Sequence, residues 1–188
     1  MQLTQDQQFE NIDFTIVGLV KGEYENCTFL NCNFSNIDLS NFIFIDCVFK
    51  DANLSLVKLN NTIFRDIQFK GCKMIGLQFS DANAFGLSIS FDNCILTNAS
   101  FYKVKIKKTK FINSKLNEVD FTEADLSESI FTNCDFSAAI FSFTNIEGSD
   151  LSTSFNYSID IEKNKIKKSK HSLNQITGLL EKYQILVD

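Results

Sequence analysis

Proline is absent from the 188 residues, glycine occurs 7 times and histidine once. Without those residues, long loops and Gly/Ser linkers are not expected. No run of 18 apolar residues occurs, so a membrane-spanning helix is not expected either. The start, MQLTQDQQFENIDF, lacks the basic and apolar regions of a secretory signal, and a cytoplasmic location is expected. There is no GxSxG, no P-loop and no GxGxxG, and no CxxC to join the lone His171 in a zinc site. Acid pairs such as Asp120/Glu123 and Asp125/Glu128 read as solvated turn residues rather than a catalytic dyad. No enzyme, cofactor or metal site is expected. The chain is nevertheless 44% hydrophobic and 22% charged, with net charge −5, as in a protein that folds around a core.

What is present is a period of five. An apolar residue recurs at Phe9, Phe14, Leu19, Tyr24, Phe29, Phe34, Leu39, Phe44, Phe49, Leu54, Leu59, Phe64, Phe69, Met74 and Phe79. The register fails at Ala84 and resumes two residues late at Phe91. It then continues through Leu96, Phe101, Ile106, Phe111, Leu116, Phe121, Leu126, Phe131, Phe136, Phe141 and Ile146 to Leu151. A helix repeats near 3.6 residues and a strand every 2, so neither produces this spacing. It marks an internal repeat. The position two before each of these centres is mostly small, and all six cysteines (Cys27, Cys32, Cys47, Cys72, Cys94 and Cys134) fall there. Inward, reduced thiols are expected, as befits a reducing compartment. The other three positions of each unit are largely polar.

Units such as CNFSN, ADLSE and CDFSA resemble those of the pentapeptide-repeat proteins. The resemblance covers about residues 7 to 153 and implies an all-β fold, a right-handed quadrilateral β-helix of about seven coils. Four units make one square coil, so equivalent faces recur every 20 residues. Face one then stacks Phe9, Phe29, Phe49, Phe69, Phe91, Phe111, Phe131 and Leu151 as a core column, provided a two-residue bulge lies within 82–88.

After the β-helix of residues 1–153, the expected second segment is 154–188. It carries a lysine run, EKNKIKKSKHS, followed by a short α-helix. Ser172 and Gln175 suggest a capping box, and Leu173, Ile176, Leu179, Leu180 and Tyr183 fall at helical spacing. That apolar stripe, with Ile185, is expected to cap the coil end or to join two copies as a dimer. KHSLNQITGLLEKYQI is similar to the C-terminal segment of the quinolone-resistance (Qnr-type) branch, and DANAFGLSISFDNCILTNASF to its irregular mid-chain stretch. The resemblance implies a head-to-head dimer that binds DNA gyrase or topoisomerase IV as a mimic of duplex DNA, without binding nucleic acid itself. The quinolone-protecting members carry two long loops. Here Phe49 runs to Leu54, and Phe101 through Ile106 to Phe111, with no insertion, which is closer to the loopless members. The alternative is a structural scaffold for another protein partner.

Charge bears on that choice, because duplex DNA carries one negative charge per roughly 1.7 Å. Residues 103–115 hold six lysines and no acid, whereas 117–162 hold acids and no base. Within the acidic stretch lie Glu118, Asp120, Glu123, Asp125, Glu128, Asp135 and Glu147. Face four, centred on Tyr24, Phe44, Phe64, Ile106, Leu126 and Ile146, adds Glu23, Glu25, Asp46 and Asp66. These acids form the candidate partner surface.

Overall fold

The computed structural model describes residues 2–185. The chain winds as a right-handed, four-sided parallel β-solenoid of about seven turns. Its strands, in chain order, are β1 (Gln2–Gln5), β2 (Gln8–Glu10), β3 (Gly22–Glu25), β4 (Thr28–Leu30), β5 (Ile43–Ile45), β6 (Val48–Lys50), β7 (Ile63–Arg65), β8 (Ile67–Lys70), β9 (Ile89–Asp92), β10 (Lys110–Ile112) and β11 (Ile130–Thr132). Face one is a seven-stranded sheet in the order β11-β10-β9-β8-β6-β4-β2, and the N-terminal half of face four is the sheet β1-β3-β5-β7. The remaining sides are joined by single parallel bridges such as Asn33↔Asn53 and Ser100↔Asp120.

Each side is only a few residues long because the chain must turn a corner every five. The corner residue, two after the centre, has positive φ. Asn26, Asn31, Asn36 and Asn41 occupy the corners of one coil at φ 52°, 51°, 61° and 63°. Asn and Asp tolerate this region, which explains much of the polar composition. Leu56, Lys103, Glu118 and Phe143 adopt the same φ where local preference opposes it. There the stacking of the coil above and below imposes the turn.

Inside, the centres form ladders. Phe91, Phe111 and Phe131 stack at 4.8 and 4.9 Å between ring centroids, and Phe79 on Phe101 at 4.6 Å. Adjacent columns meet edge-on, as Phe101 does against Phe111 at 6.0 Å. Both geometries suit the ring quadrupole. Between Phe79 and β9 the register shifts by two residues. Asn83 still pairs in register, its N–H donating to the Thr62 carbonyl, and by β9 the step has become 22 residues, with Phe69 opposite Phe91.

The position two before each centre does more than save space. Thr62 Oγ1 donates to the Leu39 carbonyl, Ser129 Oγ to Ile106, Thr144 Oγ1 to Phe121 and Ser149 Oγ to Leu126. The thiols of Cys47, Cys72 and Cys134 sit in the same place against the carbonyls of Tyr24, Phe49 and Phe111. In every case the acceptor is the centre residue of the preceding coil, so the inward polar groups are satisfied.

The C-terminal segment departs from expectation in type. Leu173–Leu179 and Glu181–Tyr183 are 3₁₀ helices, not an α-helix, and Ser172 makes no side-chain cap. Its intended partner is engaged elsewhere, because Gln175 Oε1 accepts the Asn156 N–H. Gly178 lies so close to the preceding coil that a Cβ there would run into the Tyr157 carbonyl oxygen, and its own carbonyl accepts the Ile159 N–H. The 3₁₀ form rises about 2.0 Å per residue against 1.5 Å in an α-helix, so it crosses the coil end in fewer residues. Pairing also runs past residue 153. Asn145 bridges Lys165, and Asp150 bridges Lys170, so the lysine run is wound onto the solenoid.

Candidate protein-interaction surfaces

The acids of the C-terminal half are largely engaged. Lys103 pairs with Glu123 at 3.7 Å, Lys107 with Asp125 at 3.3 Å and Lys108 with Glu128 at 3.5 Å, each reaching up one coil. From the other side Lys170 pairs with Asp150, while Lys182 contacts both Asp160 and Glu162. The lysine-rich coils on either side therefore bracket the acidic one. Aspartates just before a centre also close their own turns. Asp120, Asp125, Asp135 and Asp150 each accept the backbone N–H two residues on. Burial pulls Asp135 upward, yet bonds from Ser137, Asn117 and Asn156 outweigh it and hold the carboxyl below its ordinary range. Glu118, Asp120, Asp135 and Glu147 make no ion pair among the described residues, but they are scattered among the paired ones.

The N-terminal half differs. Residues 1–92 hold 11 acids and 6 bases, while residues 93–188 hold 12 of each. The whole net charge of −5 therefore lies in the first half. Among the described residues no ion pair involves any side chain before Lys103. Asp6, Asn26, Asp46 and Asp66 stack at one corner of face four, each with positive φ. Their partners are neutral: Asn26 donates to Asp6, and Ser88 Oγ donates to Asp66. Glu25, on β3 beside that corner, accepts from Gln5. Glu23 lies two residues earlier on the same strand, facing outward opposite Ile43.

The apolar stripe expected at the C-terminus is split by the 3₁₀ path. Leu179 is 8% exposed and joins the core, Ile176 packs against it, and Leu180 is half-buried. Leu173 is 85% exposed, and Tyr183 and Ile185 are also exposed. Tyr183 donates its hydroxyl to Glu162, which ties the tail to the preceding coil. The sequence offered no sign of the exposed Phe85, which sits in the bulge with Arg65 5.8 Å over its ring. Among the described residues, no cluster of His, Cys, Asp and Glu could hold a metal ion.

A square solenoid wound from five-residue units, with ladders inside and a patterned polar surface outside, defines the pentapeptide-repeat class. The family model described as a pentapeptide repeat region matches residues 23–89 and 87–170. The chain belongs to that family. No curated relative matches the sequence. Among solved structures, a trypsin-treated form of QnrB1, a plasmid-mediated fluoroquinolone resistance protein, is 24% identical with TM-score 0.67, covering 98% of this chain and 99% of that one. Full-length QnrB1 is also 24% identical, with TM-score 0.51 over 98% and 100% of the chains. HetL, a pentapeptide repeat protein involved in heterocyst differentiation regulation from the cyanobacterium Nostoc sp., is 15% identical with TM-score 0.56, covering 90% and 85%. At these identities the likeness is one of fold.

Proposed function

We propose that this protein is a non-enzymatic binding protein that engages a type II DNA topoisomerase by presenting a DNA-like row of negative charge. The observation that carries the reading is the acidic ladder of the N-terminal half of face four, whose acids form no ion pair among the described residues, with Arg65 of the same face turned to Phe85. Asp6 to Asp66 spans three coil spacings of about 4.8 Å, roughly 14 Å. One strand of duplex DNA places a phosphate every 3.4 Å or so along the axis, which gives about five charges over that length. Asp6, Glu23, Glu25, Asp46 and Asp66 supply that number. A full duplex would show about nine. The ladder therefore imitates one edge of the backbone rather than the whole helix. The shared fold with QnrB1, a fluoroquinolone resistance protein, supports the same direction.

In this reading two copies join at their C-terminal ends through Leu173, Tyr183 and Ile185, the part of the stripe the solenoid leaves uncovered. A supercoiling assay with gyrase, at rising protein concentration and with or without a fluoroquinolone, tests the function. Inhibition of supercoiling, or relief of the drug's effect, is expected. Unchanged gyrase activity in both conditions would leave a scaffold role for a different partner.

A further inference from the structure

We propose that the bulge at residues 83–88 and the outward side of the neighbouring sheet form one docking surface, with Phe85 as its anchor and a basic, partly apolar protein surface as its occupant. The proposal rests on the topoisomerase reading only for the partner's identity. Ala84, Phe85 and Gly86 are all exposed, so the register break adds residues that pack nothing inside. Phe85 itself is 79% exposed. A loop kept for packing would not put its one aromatic ring in water.

The ring is nevertheless held in place. The Phe85 N–H donates to Asn83 Oδ1 at 2.9 Å, and the Asn83 amide donates in turn to Asn61 Oδ1 at 2.6 Å. Asn61 donates to Asn41, which extends the ladder down the rod. Arg65 fills the space beneath, its guanidinium over the ring and its Nε close enough that a Cβ on Gly86 would come within 3.2 Å. An aromatic group fixed before contact costs little ordering on binding.

The surroundings state the partner's chemistry. On the outward side of β3, β5 and β7 two rows run across the strands, Glu23 opposite Ile43 and Ile43 opposite Ile63, and Glu25 opposite Ile45 and Ile45 opposite Arg65. Half-buried isoleucines thus form an apolar strip on a solvent-facing sheet, bordered by Glu23, Glu25, Asp46 and Asp66. An apolar centre, an aromatic–arginine pair and a charged rim are the anatomy of a protein interface. The unpaired acids of the rim require a partner rich in lysine and arginine, and the strip requires that partner to carry apolar side chains among them.

Two measurements test this. First, gyrase holoenzyme is bound to immobilised wild-type protein, Phe85→Ala and Phe143→Asn, the last removing an exposed aromatic in a coil further along the rod. Phe85→Ala is expected to weaken binding tenfold or more, about the loss of a hot-spot residue, with Phe143→Asn within about twofold of wild type. Equal affinity for wild type and Phe85→Ala would overturn the proposal. Second, an alternating lysine–leucine peptide is titrated into ¹⁵N-labelled protein. Amide shifts are expected first at residues 43–46, 63–66 and 83–88, and to disappear in Phe85→Ala. Shifts centred on residues 118–147, or none, would reject the surface. If gyrase does not bind wild type at all, the topoisomerase reading fails while the peptide map alone decides this surface.

Discussion

Phe69 stacks on Phe91 at 5.5 Å, although 22 residues separate them and the other steps of that Phe column are 20. The two extra residues are looped out at the bulge, so the ladder passes through the break without losing a ring. Packing of the column took precedence over the repeat length.

Phe111 is fully buried between Phe91 and Phe131. Phe111→Ala should cost about 3–5 kcal/mol, the usual range for truncating a buried aromatic. Chemical denaturation would show it as a fall in midpoint. A loss under about 1 kcal/mol would mean that the column does not carry the stability its geometry implies.

All six thiols are buried and unpaired. Burial pushes Cys47 up to about 12 and Cys134 to about 11, and the neighbouring Cys94 thiol together with burial pushes Cys72 upward. Thiolate is the reactive form, so labelling by a maleimide should be slow in the native state and fast in denaturant. Fast native labelling of Cys47 or Cys134 would contradict the inward placement.

His171 is half-buried, with Nε2 2.9 Å from Ser169 Oγ and Nδ1 3.1 Å from the Tyr157 hydroxyl. Burial lowers its pKa, and the Asp150 carboxylate opposes that only in part. A His whose folded pKa lies below its unfolded value destabilises the fold when it must charge. Stability should therefore be full above about pH 7, fall as pH drops through 6.5, and level off below the folded pKa. His171→Gln should flatten that step in melts between pH 7.5 and 5. The lowered carboxylates, Asp125, Asp135 and Asp150, act in a separate window: their contribution is present above about pH 4 and lost as the pH falls through their folded values.

Phe143 holds φ +54° while 68% exposed, where Asn41 and Asn61 occupy the corresponding corner in other coils. A bulky side chain in this region costs on the order of 1–2 kcal/mol. Phe143→Asn should therefore raise stability by about 1 kcal/mol. A destabilised variant would show that the ring makes contacts that outweigh the strain.

The dimer is testable at Leu173, because Leu179 belongs to the monomer's own core and its replacement would confuse unfolding with dissociation. Light scattering should give a particle of about twice 21.4 kDa for wild type. Leu173→Asp should give a monomer with an unchanged β spectrum. A wild-type monomer at tens of micromolar would remove the end-to-end dimer from the proposed function.

The period of five by itself determined the core. Apolar residues recurring at one spacing share one interior, so the row from Phe9 to Leu151, its two-residue break and the inward cysteines could be read from the sequence, whereas the square coil was what the family resemblance implied. The same was not true of anything that depends on which coil lies next to which. Lys103 meets Glu123 and Lys170 meets Asp150 because stacking brings residues 20 apart side by side, and it cancels a charge block that looks acidic along the chain. That cancellation moves the bare acids to Asp6, Asp46 and Asp66. The apolar spacing of Leu173 to Tyr183 fits a helix equally well in α or 3₁₀ form. The structure takes the 3₁₀ form, in which Gly178 lies against the Tyr157 carbonyl and Leu179 is seated in the coil end. Periodicity specifies what is buried within a coil, and contact between coils decides what the surface shows.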